Sequence, residues 1–337
     1  MIKWLEIDGQ SSVAVARRFA RTVATAAGFP EVRTEEAVIV VSELASNIVK
    51  YAGCGRMLVQ WMPHARGYRL AIVASDKGPG IGDLALMMKD RQSSGGSAGI
   101  GLGAVKRLSD RFDIHSTPDG GTIVACEFLA PGLGLHPSIE LAGLFLAHPD
   151  EDICGDRWQA WEMPHGLRLA LVDGMGHGPQ AAEAAGTIID MLESHARLPP
   201  SEALGNVMRD YRNIRGGVAS VADIDASRGE IGYANIGNIA SMRLRPGEIK
   251  RFPTRNGFVG NRSAEPLAEA AAAGRGDYLI FHSDGLKAVG ADMLLPLHGH
   301  NCLLMAAWLL ENGEVLKDDV TIVIARVHGR RTHAENG

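Results

Sequence analysis

The sequence predicts an α/β and α+β fold class in two tandem domains, a two-layer α/β sandwich followed by a β-sandwich flanked by helices. Three observations carry this prediction. In the first third, two long helical patterns precede two pairs of strand-like runs, so helices can cover one face of an antiparallel sheet. Beyond residue 138, strand-like runs recur with few helices between them. Between these patterns, Ala130-Pro-Gly-Leu-Gly-Leu-His-Pro137 breaks every periodicity and reads as a linker. A chain of 337 residues is long enough for two cores. The expected division is a first domain over 1–130, a linker over 131–138, a second domain over 139–328, and a loose polar tail over 329–337.

The elements are justified in chain order. Val15, Phe19 and Val23 fall at helical spacing, with Arg17, Arg18 and Arg21 off that stripe. They predict an amphipathic helix over 11–27, ended by Gly28 and Pro30. A second helix is expected over 31–51, closed by Gly53, and strands over 56–62 and 68–75 turn around Arg66-Gly67. The glycine-rich stretch 76–103 holds one short helix candidate, 83–90. A third helix over 102–109 leads into strands 111–116 and 122–129. In the second half, strands are expected over 140–147, 156–162, 167–172, 218–223, 230–235, 241–245, 278–283 and 320–327. Helices are expected over 180–195 and 201–212.

Composition excludes several functions. A formal charge of −5 offers no basic patch for nucleic acid. The four cysteines (Cys54, Cys126, Cys154, Cys302) lie far apart, which argues against a disulfide frame or zinc site and for a reducing compartment. Apolar runs such as Ala37–Val41 fall far short of the roughly 20 residues of a membrane span. The N-terminal residues lack a basic segment leading into an apolar run, so a soluble, cytoplasmic protein is expected.

Two constellations carry chemistry. On the second helix Glu43, Asn47 and Lys50 share one face at about 100° per residue. An amide oxygen suits magnesium, an ammonium suits phosphate, and a carboxylate can orient or deprotonate a hydroxyl. The same three side chains also suit a solvated helix face. Asp76-Lys-Gly-Pro-Gly-Ile81 then comes after a strand, where a carboxylate can accept from an exocyclic amine and glycines let backbone approach a flat ring. Ser93-Ser-Gly-Gly-Ser-Ala-Gly-Ile-Gly-Leu-Gly103 runs into a helix, whose N-terminus attracts phosphate.

In the second half, four acidic elements stand at the ends of apolar runs: Gly155-Asp156, Asp173-Gly-Met-Gly-His-Gly178, Ser283-Asp-Gly-Leu286 and Asp318-Asp-Val-Thr321. Aspartate is a poor strand former and costly to bury unless paired or metal-bound. Each Asp-Gly alone also suits a turn. Together they suggest hard oxygen ligands for two divalent cations that activate a water against a phosphoryl group, magnesium or manganese rather than zinc. His177 suits either proton donation or a simple turn position. Arg157 suits either a phosphate contact or a surface charge.

The run Ser42–Gly53 resembles the N-box of the GHKL ATPase/kinase superfamily. Asp76–Ile81 and Gly99–Gly103 resemble its glycine boxes, and Gly121-Thr122 a late element of that fold. Asn47–Gly53 and Leu102–Leu108 are most similar to the RsbT-type switch serine/threonine kinases of anti-sigma regulation. The resemblance implies a GHKL α/β two-layer sandwich binding ATP with Mg2+. It places Glu43 as catalytic base, Asn47 on magnesium, and Asp76 on adenine. Lys50, Gly78, Gly80, Gly99, Gly101, Leu102, Gly103 and Thr122 complete the nucleotide site. The four acidic elements, in order, resemble the PPM-type phosphatases of the SpoIIE/RsbX branch, with Asn238 of Ala234-Asn-Ile-Gly-Asn-Ile-Ala240 standing where histidine is usual. This second resemblance implies an αββα sandwich with two Mn2+ or Mg2+ ions. Asp173 would bridge them as the central catalytic ligand, with Asp156 and the Gly174 carbonyl at one ion and Asp284 and Asp318 at the other. Asp319 ranks lower. Both resemblances imply a small STAS-domain phosphoprotein as shared substrate, with a downstream activator or sigma factor as a further partner, and no nucleic acid or membrane. The competing expectation is an ATP-gated, anti-sigma-type binding module without kinase turnover.

Overall fold

The computed structural model describes residues 4–64, 67–84, 101–212, 215–261, 264–287, 289–313 and 315–328. The chain divides into two compact units, with the boundary between Gly134 and Leu135.

In the first unit, β1 (Leu5–Ile7), β2 (Gly55–His64), β3 (Gly67–Asp76), β4 (Arg111–Thr117) and β5 (Gly121–Leu129) form one sheet in the order β1-β2-β3-β5-β4. Helices α1 (Gln10–Ala26), α2 (Glu31–Asn47) and α3 (Gly101–Leu108) pack on one face of it. Val13, Ala16, Ala20 and Ala24 of α1 and Val38, Val41, Leu44 and Ala45 of α2 meet Met57, Val59, Leu70, Ile72, Val124, Cys126 and Phe128. Alternation along each strand sends every second residue into this core. Arg33 ties α2 to the segment just past α3: it donates to the Leu108 carbonyl, pairs with Asp110, and lies 4.9 Å over the Phe128 ring. The expected second helix changes geometry at its end, since Ile48–Ala52 form a π-helical turn. The helix candidate over 83–90 lies almost wholly outside the described residues, as do Gly99 and the tail over 329–337.

The second unit is built from two further five-stranded antiparallel sheets. One runs β13 (Leu267–Ala272), β10 (Glu230–Ile236), β9 (Gly217–Asp225), β8 (Gly166–Gly174), β7 (Arg157–Met163). The other runs β12 (Glu248–Arg251), β11 (Ala240–Arg245), β14 (Tyr278–His282), β15 (Val320–Val327), β6 (Ile139–Leu146). Helices α4 (Gly178–Ser194) and α5 (Pro200–Asp210) bury Ala185, Ile188, Leu192, Leu204 and Val207 against the outer face of the first. After the short α6 (Ala291–Leu294), α7 (Cys302–Asn312) packs on β6 and β15 of the second. Between the sheets, Tyr233 stacks on Phe252 at 4.6 Å and meets Phe281 edge-on at 6.1 Å. Trp158 fits against Gly143, where a Cβ would lie 2.7 Å from the indole. The order of layers is therefore helix, sheet, sheet, helix. Among the described residues, no helix is long and apolar enough to cross a membrane.

Sequence patterns missed β1, β12, β13, α6 and α7. The reason is clearest for α7: Leu303, Leu304, Met305, Ala306, Ala307 and Leu309 are all fully buried, so no polar face marks a helical period.

The helix-covered face of β8 carries one charge. Arg168 is fully buried, with both Nε and Nη2 on the Asp223 carboxylate (2.6 and 2.7 Å) and Nη1 and Nη2 on the His195 and Leu198 carbonyls after α4. Removing the carboxylate leaves a buried guanidinium without its counter-ion. Asp223→Ala is expected to cost about 3 kcal/mol of stability in urea unfolding, far more than Asp225→Ala at the end of β9, whose carboxylate accepts from the Ser227 and Arg228 amides and the Ser227 hydroxyl.

Candidate functional site

The first unit brings most of its predicted residues to the ends of α2, β3 and α3. Asp76 closes β3, and its Oδ1 accepts the Gly78 N–H at 2.8 Å. Burial raises its pKa, opposed by hydrogen bonds from the Gly78 and Thr122 amides. The loop after Asp76 is stapled to the β4–β5 hairpin. Ile81 N–H donates to Ser116 Oγ (2.8 Å), Asp119 N–H donates to the Pro79 carbonyl (3.0 Å), and Ser116 Oγ meets Thr122 Oγ1 at 2.8 Å. Gly80 sits at φ +72°, and a Cβ there would fall 2.1 Å from the Thr117 carbonyl, so only glycine closes this staple. Ser116 was not singled out by any motif; its signal is a hydroxyl opposite Thr122 in the β4–β5 register.

Glu43 and Asn47 are half-buried on α2. Glu43 Oε1 accepts the Gly101 N–H at 3.1 Å, which joins the acidic helix to the start of α3. Leu102 and Gly103 are buried in the first turn of α3. Lys50 lies in the π-turn Ile48–Ala52 that follows α2. Its exposed ammonium lies 4.7 Å over the Tyr51 ring.

The second unit gathers its acidic elements by topology. β8 ends at Asp173-Gly174, β7 begins just after Asp156, β14 ends before Asp284, and β15 begins just after Asp318-Asp319. Antiparallel pairing of β7 with β8 and of β14 with β15 puts all four at one end of the sandwich. Asp156 and Asp319 are buried, Asp173 and Asp318 half-buried, and Asp284 exposed. Burial raises Asp173 to about 9, helped by the negative charges of Asp156, Asp284 and Asp318 and by a proton shared with Asp284. Burial raises Asp156 to about 7, against hydrogen bonds from the Ser283 and Thr321 hydroxyls and with the charges of Asp319 and Asp284.

Each carboxylate has its own support. Ser283 Oγ donates to Asp156 Oδ2 (2.7 Å) while accepting the Thr321 N–H (2.9 Å). Asn238 Nδ2 donates to Asp284 Oδ2 (2.7 Å). His148 N–H donates to Asp319 Oδ1 (2.9 Å), and Asp319 Oδ2 is buried with no hydrogen bond of normal geometry, with the Gly155 amide and Cys154 thiol as nearest donors. Asp319 thus adjoins the cluster through Asp156, whereas the charge of Asp318 acts on Asp173. Arg157 instead donates to the Cys154 and Asp156 carbonyls. His177 bonds Glu151 at 2.9 Å and stacks on His148 at 4.3 Å. Gly174 lies at the end of β8, paired with Gly217.

Among the described residues, no three His, Cys, Asp or Glu side chains are already closed into a metal-ligand set. The donor chemistry nevertheless fits a divalent cation. All donors are hard oxygens, burial together with mutual repulsion holds protons on Asp173 and Asp156, and the buried Asp319 Oδ2 lacks a hydrogen bond of normal geometry.

Residues 9–126 match the histidine kinase-like ATPase domain family, and residues 163–293 match the stage II sporulation protein E (SpoIIE) family. The serine/threonine-protein kinase RsbT of Bacillus subtilis (strain 168) is 39% identical over 110 residues, covering 33% of this chain and 83% of RsbT. A solved chain from the bacterial stressosome, a modular system adapted to control secondary messenger signalling, is 29% identical with a TM-score of 0.52, over 56% of this chain and 99% of its own. RsbX in complex with magnesium shares the fold at 23% identity and a TM-score of 0.52, over 58% of this chain and 98% of its own.

A raised carboxylate pKa means the folded chain holds protons that the unfolded chain releases, so stability falls as pH rises from the ordinary carboxylate range toward about 9. In EDTA, Asp173→Asn should therefore melt above wild type at pH 8, with the gap closing toward pH 5 by differential scanning fluorimetry. Mn2+ should reverse the order. In the first unit, Ser116→Ala should weaken binding of a fluorescent ATP analogue about fivefold, the worth of roughly one hydrogen bond. With both sites and their relatives in view, the chain belongs, through its first unit, to the family of the serine/threonine-protein kinase RsbT, and carries on the same polypeptide a domain that matches the SpoIIE family and has the fold of RsbX.

Proposed function

We propose that the chain both writes and erases phosphate on a serine or threonine of one small regulatory protein, a STAS-domain antagonist in a cytoplasmic partner-switching pathway. The observation that carries this reading is the presence on one polypeptide of an N-box site at Glu43–Asn47 and a five-carboxylate cluster around Asp173. The likeness to RsbT and to a stressosome chain supports the choice of substrate and pathway. A downstream activator or sigma factor would be a second partner.

In the first unit Asp76 would hold adenine and Asn47 the Mg2+ that accompanies ATP. Gly78, Gly80, Gly101, Leu102, Gly103 and Thr122 would line the nucleotide, with Gly99 beyond the described residues and Lys50 nearby at Tyr51. Glu43 would take the proton of the attacking hydroxyl. Its Oε1 accepts the Gly101 N–H, which leaves Oε2 for that proton.

In the second unit Asp156, Asp173, the Gly174 carbonyl, Asp284, Asp318 and Asp319 would hold two Mn2+ or Mg2+ ions. Bound there, such ions supply an activated water and offset charge on the phosphoryl group. Asp173 gives up its proton on loading. Ser283 and Thr321 orient Asp156, Asn238 orients Asp284, and the His148 amide orients Asp319.

A second reading keeps the first unit as an ATP-gated binding module. The hydrogen bond that occupies Glu43 favours it. Phosphotransfer from labelled ATP to a STAS protein encoded beside this chain separates the two. Asn47→Ala should abolish phosphorylation and leave dephosphorylation within about twofold, whereas Asp173→Ala should lower dephosphorylation by about a hundredfold or more. Tight complex formation with no transfer by wild type would establish the binding module, and undiminished phosphate removal by Asp173→Ala would overturn the metal assignment.

A further inference from the structure

The turn after Asp173 is exposed at Met175, Gly176 and His177, yet it is held at both faces. Arg215 donates from Nη1 to the Met175 carbonyl (2.8 Å) and from Nη2 to Gln180 Oε1 on the first turn of α4 (2.8 Å). The next residue holds the other side of the same unit, since Met175 N–H donates to the Gly216 carbonyl at 3.0 Å. Arg215 is anchored in turn by Tyr211, just past α5, whose hydroxyl donates to the Arg215 carbonyl and whose ring is buried. Gly176 leaves the space for this. It sits at φ +81°, and a Cβ there would lie 2.8 Å from Arg215 Nη1.

We propose that Arg215 is a positioning residue for the divalent-cation centre. A peptide unit is planar, and a trans unit points its carbonyl opposite its N–H. Holding Met175 N–H on Gly216 therefore fixes the direction of the Gly174 carbonyl, and holding the Met175 carbonyl on Arg215 prevents the adjacent plane from rotating. The planar guanidinium does this while reaching Gln180, a two-point contact that an ammonium cannot copy. Through Gln180 and Tyr211 the direction of that carbonyl depends on α4 and α5. The role of Arg215 rests on the metal-centre reading proposed above.

The test is equilibrium Mn2+ binding to the metal-stripped full chain, followed by the electron paramagnetic resonance signal of free Mn2+. Arg215→Ala should weaken binding about tenfold, as expected for loss of a group that orients a ligand. Arg215→Lys should recover part of the loss, and Tyr211→Phe should weaken binding in the same direction by a smaller factor. Activity on a phosphate ester should return toward wild type at saturating Mn2+, which a merely unfolded variant would not do. Should the alanine variant fail to fold, Arg215→Lys and Tyr211→Phe decide. Asp173→Asn distinguishes failure of the metal centre from failure of the Arg215 role. If it binds Mn2+ like wild type, the metal-centre reading fails. If it loses Mn2+ while the Arg215 and Tyr211 variants bind like wild type, the metal centre stands and the role of Arg215 is overturned.

Discussion

Five carboxylates crowd one end of the β-sandwich, and much of the second unit is arranged around the cost of keeping them there. Antiparallel strand pairs end and begin at the same edge, so Asp156, Asp173, Asp284 and the Asp318-Asp319 pair are brought together by backbone register, whatever their charges prefer. Repulsion and burial oppose that placement, which is why Asp173 and Asp156 hold protons far above the ordinary carboxylate range. The interior answers with donors rather than cations. Ser283, Thr321, Asn238 and the His148 amide each commit a hydrogen bond to one carboxylate, while Arg157 turns to backbone carbonyls. A cluster that holds protons for want of cations offers oxygens that a hard cation can take over.

The nucleotide site of the first unit is organised on the opposite principle. Charge is sparse there, and backbone does the positioning. The loop Asp76–Ile81 is joined to the β4–β5 hairpin by hydrogen bonds through Ser116, Pro79 and Asp119, with Gly80 pressed against Thr117. Such a staple sets where a flat ring can lie before any ligand arrives, and so lowers the ordering cost of binding. The α2 side is less settled. α2 passes into a π-turn at Ile48–Ala52, where the Lys50 ammonium lies over the Tyr51 ring.

What was legible in the sequence depends on what each signal encodes. The strands were readable as short apolar runs, buried on both faces in β3, β6 and β8, and the amphipathic α1 because one of its faces is apolar and the other is not. Helix α7 was invisible because it is buried on every side, and β13 because Leu267–Ala272 is mostly alanine, a poor strand former. The acidic residues were readable because aspartate beside an apolar run violates local preference. Their supports were not: Ser283, Thr321, Ser116 and Arg215 are ordinary residues whose importance lies in partners 35 to 165 positions away, or in a backbone carbonyl that no motif can display. Asp319 was ranked below Asp318 by family pattern, while the fold places it against Asp156 and gives it the buried, unsatisfied oxygen.

The two sites also differ in what must change when each acts. At the carboxylate cluster nothing need move far, because protons leave and existing hydrogen bonds keep Asp156, Asp284 and Asp319 oriented; the stored cost is electrostatic and is released on loading. At the N-box the constraint is a hydrogen bond, since Glu43 Oε1 satisfies the first N–H of α3 and turns both oxygens to a substrate hydroxyl only by exchanging that contact. Leaving that N–H bare would be unfavourable, so the exchange favours the moment when another acceptor is at hand. A phosphate oxygen is such an acceptor, because a helix N-terminus offers both donor and dipole. In the proposed function, then, the base that starts phosphorylation is freed by the arrival of the phosphate donor itself. The phosphatase half has no such interlock, and its activity would follow metal loading alone. A chain that writes only when nucleotide is bound and erases whenever metal is bound would rest in the erasing state, and its output would follow the supply of ATP and substrate at the first site.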